Sequence, residues 1–233
     1  MHDEALVWSK VEKRSPNVAD FLGNIETWRR LVLPTIPTSP TNPTTCSDQW
    51  IADLVSKLDT AMSAPNDQER CNQIKGALSE HIGNGDCPLD ADLLASVASQ
   101  YGRRLLYKDP EGVYTVVLMI WGANQVTPLH DHAGVWCVDC VCLGNITVES
   151  YEPQPSRTDG SGLYDFEKAA TIKAGMGEAG ALIPPFEYHT IHNHANETAA
   201  TIHVYGDELT ECNVFVPQDS GYRLEVLQLG YSD

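Results

Sequence analysis

Basic residues are scarce in this chain. Fifteen lysines and arginines stand against 32 aspartates and glutamates, giving a formal net charge of −17 and a pI near 4.7. A surface of that sign repels a phosphate backbone or an anionic bilayer, so neither nucleic acid nor a membrane is expected as a partner. A small-molecule site is not excluded, because a basic pocket can sit inside an acidic protein. Long apolar runs are missing as well: VVLMIW at 116–121 falls far short of the ~20 residues that span a bilayer. The first residues show no basic, apolar and small-residue succession of a secretory leader. No internal repeat and no glycine-rich phosphate loop is present, and Gly160-Ser161-Gly162 reads as a turn. The seven cysteines (Cys46, Cys71, Cys87, Cys137, Cys140, Cys142 and Cys212) are odd in number and irregularly spaced. Without a leader they read as reduced thiols of a cytoplasmic protein, a monomer or weak oligomer. Cys140 and Cys142 share a strand face that Cys137 does not, which argues against a zinc-cysteine site there.

What is present changes character near residue 110. At 233 residues and 42% hydrophobic content the chain can bury one ordinary core. Apolar residues at 3–4 spacing predict helices over 19–33, 47–62, 67–82 and 90–106, with a Pro/Thr/Ser connection at 34–45. Beyond that the pattern turns to short strands, at 114–122, 135–144, 145–153, 170–174, 179–183, 188–192, 199–205, 212–216 and 223–229. Gly144-Asn145 between two of them signals a hairpin. Many short strands with Gly and Pro punctuation predict a β-barrel or jelly roll. The expected organisation is an N-terminal helical region, 1–108, packing on a β-barrel, 109–233.

The chemistry concentrates in PLHDHAGVWCVDC, 128–140. Residues at i and i+2 of a strand project from one face, so His130 and His132 can bind one ion if another strand supplies a third ligand. As a short motif it equally fits two partly exposed histidines beside a turn. The later strand TIHVY carries a second pattern. Thr201, His203 and Tyr205 alternate with Ile202 and Val204, so the three polar groups share a face. Enclosed in a barrel they must hydrogen-bond one another, as a relay from Thr201 through His203 to Tyr205. Facing solvent, they would need no such relay.

The wider spacing resembles the cupin superfamily. Gly122, His130, His132 and Gly144 follow its first motif, with Cys137 in place of the usual glutamate. Pro184, His189 and Asn193 follow its second, with Phe186 in place of a glycine. That register selects His189 as third ligand over the neighbouring His192 and His194. The implied fold is mainly β: a cupin-type double-stranded β-helix, or jelly roll, with N-terminal α-helices. Three neutral histidines without a carboxylate leave positions open on a divalent ion.

Residues 98–230 further resemble thiol dioxygenases of the cysteine dioxygenase family. Tyr101 and Arg103, in QYGRRLLY, match the family's substrate-binding Tyr-x-Arg segment, with Arg104 as an alternate. His130, His132 and His189 match its ligands of Fe(2+). Thr201, His203 and Tyr205 match its Ser-x-His-x-Tyr strand, and Cys137 and Cys212 also have counterparts. The resemblance implies that a small thiol and dioxygen yield a sulfinic acid. Arg103 would bind the substrate carboxylate, Tyr205 would orient substrate or oxygen, and a thioether would join Cys137 to Tyr205. L-cysteine is the substrate that Arg103 favours. 3-Mercaptopropionate enzymes use a later arginine, for which Arg223 is available. A non-catalytic metal-binding cupin or a cupin isomerase or decarboxylase are the rival readings. Asp139, two residues beyond Cys137, departs from the apolar residue expected there and is open to two roles: contact with a substrate amine, or a structural ion pair.

Overall fold

The computed structural model describes residues 48–83, 87–89, 91, 93–95, 100–157, 159–185 and 187–232. The predicted helix at 19–33, the 34–45 connection and Phe186 lie outside them. Two helices come first, α1 (Asp48–Met62) and α2 (Asp67–Gly83). Asn66 caps α2: its side-chain oxygen accepts the Glu69 N–H at 2.9 Å, and Asp67 and Glu69 put negative charge at the electropositive helix start. Both helices bury one stripe. Leu54 and Leu58 of α1, and Cys71, Ile74, Leu78 and Ile82 of α2, enter a common core. Tyr114 ties α1 to the barrel by donating to Asp59 at 2.7 Å.

Eleven strands follow among the described residues: β1 (Gly102–Lys108), β2 (Thr115–Trp121), β3 (Leu129–His130), β4 (Cys137–Leu143), β5 (Asn145–Pro153), β6 (Phe166–Gly175), β7 (Ala179–Leu182), β8 (His189–His192), β9 (Ala199–Tyr205), β10 (Glu211–Gln218) and β11 (Gly221–Gln228). They form a five-stranded sheet ordered β1-β2-β9-β4-β7 and a six-stranded sheet ordered β11-β10-β3-β8-β5-β6. The first sheet lies between the helices and the second sheet. Val116, Leu118 and Ile120 of β2 face the helices, whereas Val117, Met119 and Trp121 face the inner core. Burial on both faces explains why the sequence there is continuously apolar rather than alternating.

Two sequence expectations are corrected. Residues 102–106, expected in a helix, belong to β1, which pairs with β2 from Gly102↔Ile120 to Lys108↔Thr115. RRLLY satisfies either period. Pairing with β2 prevails, with a bulge between Leu105 and Tyr107 that turns Leu106 and Tyr107 toward the helices. The five-stranded sheet therefore includes residues placed in the helical region above. Gly144-Asn145 is not a hairpin either. β4 lies between β9 and β7 in one sheet, and β5 between β8 and β6 in the other. Gly144 makes the corner with φ 69°, and a Cβ there would lie 3.2 Å from Ala199 Cβ and from the Thr198 carbonyl. Glycine answers both the turn and the close approach.

Candidate active site

His130 sits on the short strand β3, bridging β10 and β8, and its direct partner on β8 is His189. Cross-strand pairing brings these two rings to 4.3 Å between centroids. His132 follows two residues later and lies 5.5 Å from His130 and 5.0 Å from His189. One nitrogen from each of the three falls within 4.8 Å of the others, and among the described residues this is the cluster able to hold a metal. The His130 Nδ1–H donates to the Pro128 carbonyl at 3.0 Å and the His189 Nδ1–H to the Glu187 carbonyl at 2.7 Å. A carbonyl only accepts, so both Nε2 atoms keep a free lone pair. His132 Nδ1 is buried without a hydrogen-bond partner. Burial lowers the pKa of all three, and neighbouring imidazoles push those of His132 and His189 down further. Three neutral imidazoles converging on one point, with an orphaned nitrogen among them, fit a divalent metal ion.

The turn holding this pair is built by a residue that sequence reasoning passed over. Asp131 faces away from the histidines beside it. Its Oδ1 accepts the N–H groups of Ala133 (2.9 Å) and Asn213 (3.0 Å), and its Oδ2 accepts the Asn213 side chain at 2.8 Å. The signal was its place between i and i+2 of a strand, where it must point oppositely. Asn193 serves the second motif. Its Nδ2 donates to the Trp121, Gly122 and Glu197 carbonyls at 2.8–3.1 Å, pinning β8 to the end of β2. His192 Nε2 meets Thr190 Oγ1 at 2.9 Å and its ring stacks on His194 at 5.0 Å, outside the cluster.

Behind the cluster lies the strand β9. Thr201, His203 and Tyr205 are buried and face the inner core, while Ala200, Ile202 and Val204 pack under the helices. The solvent-facing alternative is therefore corrected: both faces of this strand are covered. Thr201 Oγ1 lies 2.7 Å from His203 Nε2, and Tyr205 Oη 3.4 Å from His203 Nδ1. Trp121, which sequence reasoning treated only as core, heads the chain. Its indole N–H donates to Thr201 Oγ1 at 2.9 Å. An indole only donates, so Thr201 Oγ1 accepts there and keeps its own proton and a second lone pair to share with His203 Nε2. Burial lowers the His203 pKa to about 3, with Arg103 and His130 adding to it, so the ring is neutral. His203 Nδ1 faces Tyr205 Oη and the Cys137 sulfur, the latter at 3.7 Å. The Tyr205 hydroxyl donates to the Met119 sulfur at 3.8 Å.

Cys137 and Tyr205 are direct partners across β4 and β9. Cys140 and Cys142 lie on the opposite face, with the helices. Arg103 of β1 reaches the same closed cavity as Tyr101, the three histidines, His203 and Tyr205. Its Nη1 donates to the Gly230 carbonyl (3.0 Å) and its Nη2 to that of Leu209 (3.2 Å), with Tyr231 5.4 Å from the guanidinium carbon. Burial pushes the Tyr101 pKa up, and its ring lies 4.9 Å from that of Trp121. Arg104, paired with Leu118 on the other face, donates to the Ala95 carbonyl, and Arg223 pairs with Glu225 on the exposed side of β11. Neither reaches the cavity, whereas Cys212 lines it.

Asp139 takes neither role expected of it. It is buried opposite His203 in the β4–β9 register, but among the described residues it makes no ion pair, does not line the cavity, and leaves its Oδ1 without a hydrogen-bond partner. Burial raises its pKa to about 7.

A mainly β barrel of two antiparallel sheets, carrying its histidines on β3, the turn after it and β8, is a cupin. Among solved structures the barrel resembles the Thermus thermophilus protein TT1209 (18% identity, covering 51% of this chain and 95% of that one, TM-score 0.37). It also resembles a cupin 2 conserved barrel domain protein from Salinispora arenicola CNS-205 (18%, 52% and 87%, TM-score 0.36). A third is the Schizosaccharomyces pombe Cnp3 cupin domain (13%, 49% and 69%, TM-score 0.35). The family described as cysteine dioxygenase type I matches residues 94–218, and the chain belongs to that family.

Two outcomes follow from this geometry. His189→Ala should lose more than about tenfold in affinity for a divalent metal ion, exceeding the loss typical of an outer partner of the site, while His192→Ala retains it; metal titration with elemental analysis reads this, and the reverse order would exclude His189 as third ligand. Asp139 ionises near pH 3.8 when unfolded and near 7 when folded, so the folded state holds its proton more tightly and stability falls as pH rises through this window. Asp139→Asn should therefore gain stability over the parent by about 1–3 kcal/mol at pH 8 and by progressively less toward pH 4.5. Denaturant unfolding of both proteins across that range checks it, and a pH-independent difference would contradict the assignment.

Proposed function

We propose that the protein is a non-haem iron(II) thiol dioxygenase. It converts the thiol of a small carboxylated thiol, L-cysteine in the first instance, to the sulfinic acid. The reaction is RSH + O2 → RSO2H, with both oxygen atoms ending on sulfur. The observation that carries the reading is the convergence, in one closed cavity, of three neutral histidines, a buried guanidinium and a phenol backed by a hydrogen-bond chain. Family membership agrees with it. A metal-binding cupin without catalysis has no use for that combination. A small thiol and dioxygen are the partners of this reading, and a cytoplasmic monomer or weak oligomer its setting; no helix among the described residues is long and apolar enough to cross a membrane.

His130, His132 and His189 would hold the iron, which supplies the one-electron chemistry that lets dioxygen react with a closed-shell thiol. The protein's own groups bind and orient. A guanidinium carries five N–H donors, and two of those on Arg103 are taken by the Gly230 and Leu209 carbonyls. The rest are available to a carboxylate, whose charge they match in a water-poor site. The Tyr205 hydroxyl, which donates to the Met119 sulfur at 3.8 Å and lies 3.4 Å from His203 Nδ1, would turn its proton toward substrate or oxygen. The enclosed apolar walls, Met119, Ile191 and Leu229, keep bulk water from the reacting sulfur.

Oxygen uptake by the iron-loaded protein against a panel of thiols tests the function. L-cysteine should consume one dioxygen per thiol and give the sulfinic acid. 3-Mercaptopropionate outpacing it would reassign the substrate, and no thiol-dependent uptake would reject the activity. In the same assay Arg103→Ala should raise KM for carboxylated thiols roughly 10–100-fold, since a charged hydrogen bond contributes about 1.5–3 kcal/mol and each 1.4 is tenfold. Cysteamine, which has no carboxylate, should change by less than about threefold; equal losses would remove Arg103 from carboxylate binding.

The Cys137–Tyr205 pairing also supports a thioether between sulfur and ring carbon. In that step S–H and C–H bonds are lost and two electrons and two protons pass to dioxygen, giving hydrogen peroxide. Aerobic turnover should then lower the intact mass by about two units, with the two hydrogens of the balanced step, and join the peptides around 137 and 205 in a form that resists thiol reductants. Separate peptides in fully turned-over protein would show that the bond does not form.

A further inference from the structure

The cavity shared by the three histidines and Arg103 is closed, with a free volume of about 20 Å³, room for about one water molecule. A thiol that also carries a carboxylate needs several times that space, so part of the wall moves when one enters. Most of the wall is fastened. Met119, Ile191, Tyr205 and Cys212 stand on paired strands. Thr127 is bonded to Ile191 twice, its N–H donating to the Ile191 carbonyl at 3.0 Å and its Oγ1 accepting the Ile191 N–H at 2.9 Å. Tyr101 packs on Trp121, and Leu209 is buried. Leu229 differs. It is half-buried, lies one residue past β11 and begins a segment, 229–232, that belongs to neither sheet. That segment also lies beyond the 94–218 span shared with the family.

The segment is keyed to Arg103. Ser232 N–H donates to the Arg103 carbonyl at 2.6 Å, and Arg103 N–H donates to Ser232 Oγ at 3.1 Å. β1 is an edge strand, so these two bonds cap backbone groups that β2 does not reach. The Gly230 carbonyl accepts from Arg103 Nη1 at 3.0 Å, and the Tyr231 ring lies 5.4 Å from the guanidinium carbon. Tyr231 Oη donates to Glu208 at 3.2 Å, next to the Leu209 carbonyl that takes Arg103 Nη2. Gly230 is exposed, and a Cβ there would meet nothing within 4 Å, so nothing packs over the segment at that point. The Leu229 N–H, donated to the Thr210 carbonyl at 2.7 Å, is its anchored end.

We propose, taking the carboxylated thiol above as substrate, that Leu229–Ser232 is a strap that swings out to admit it and closes over it, and that Tyr231 is the positioning residue tying closure to the guanidinium. Opening pivots on the Leu229 amide and leaves both sheets intact, because the bonds it breaks are those of 230–232 to Arg103 and Glu208. It carries the Leu229 side chain away from the cavity and uncovers Arg103. Closure restores the contacts that hold the guanidinium in place, so recognition of the carboxylate and sealing of the cavity become one event. A ligand that fits only the sealed cavity favours the closed strap by its differential affinity for that state.

Hydrogen exchange of the Ser232 amide, read on full-length iron-loaded protein without oxygen, reports the opening directly. With no substrate present, Tyr231→Ala should speed that exchange by about three- to tenfold through loss of the ring contact, while amides of the β10–β11 ladder keep their rates. L-cysteine, at a concentration that saturates oxygen uptake, should slow it in the parent by about tenfold. With oxygen supplied, Tyr231→Ala should raise KM for L-cysteine by about three- to tenfold, change kcat by less than about twofold and leave cysteamine within about twofold. Tyr231→Phe, which keeps the ring, should restore the parent KM. The first measurement needs no substrate, so the strap and the thiol dioxygenase reading can fail separately. A Ser232 amide indifferent to both Tyr231→Ala and bound L-cysteine would overturn the strap. Equal KM rises for L-cysteine and cysteamine would overturn the positioning role of Tyr231.

Discussion

Coverage of the five-stranded sheet on both faces is the constraint from which the site follows. Helices α1 and α2 seal the outer face of β2, β9 and β4, and the six-stranded sheet seals the inner one. Polar groups on the inner face of β9 thereby lose water and must find partners in the protein or cost free energy. Thr201, His203 and Tyr205 find each other, with Trp121 starting the chain. The same dehydration keeps the metal-facing imidazoles neutral and leaves Arg103 as the dominant charge of the cavity. Acidic as the chain is, the chamber within is lined by a guanidinium.

Much of this was legible because period-2 alternation on a buried strand carries side-chain direction. The β9 span and the shared face of its three polar residues were read from TIHVY alone, and so was the separation of Cys137 from Cys140 and Cys142. His130 and His132 were readable as a pair. His189 was not, because its meeting with His130 depends on strands that are distant in sequence; only the resemblance through Pro184 and Asn193 supplied it. Local signals failed where tertiary pairing outweighed them. RRLLY carries both periods, and β2 selects the strand. Gly144-Asn145 has hairpin composition, but the chain uses its conformational freedom to leave one sheet for the other.

The supporting residues were the least legible. Asp131 and Asn193 do their work largely through backbone N–H groups and carbonyls, and Trp121 through a hydroxyl on another strand, none of which a local side-chain pattern announces. Trp121 is the sharpest case. Within an apolar run it reads as bulk, yet its single donor engages the hydroxyl at the head of the relay. Asp139 is the converse. Its polarity was visible and invited a partner, but the register with His203 and Gly180 leaves one of its oxygens without any.

Arg103 is gripped by the carbonyls of residues 106 and 127 positions further along the chain. Contacts of such range form only after most of the intervening chain has closed, because loop entropy must first be overcome. The pocket is therefore a late product of folding rather than a property of any segment. A nascent or partly unfolded chain can present paired histidines before the guanidinium has its place, so the two halves of the site mature at different times.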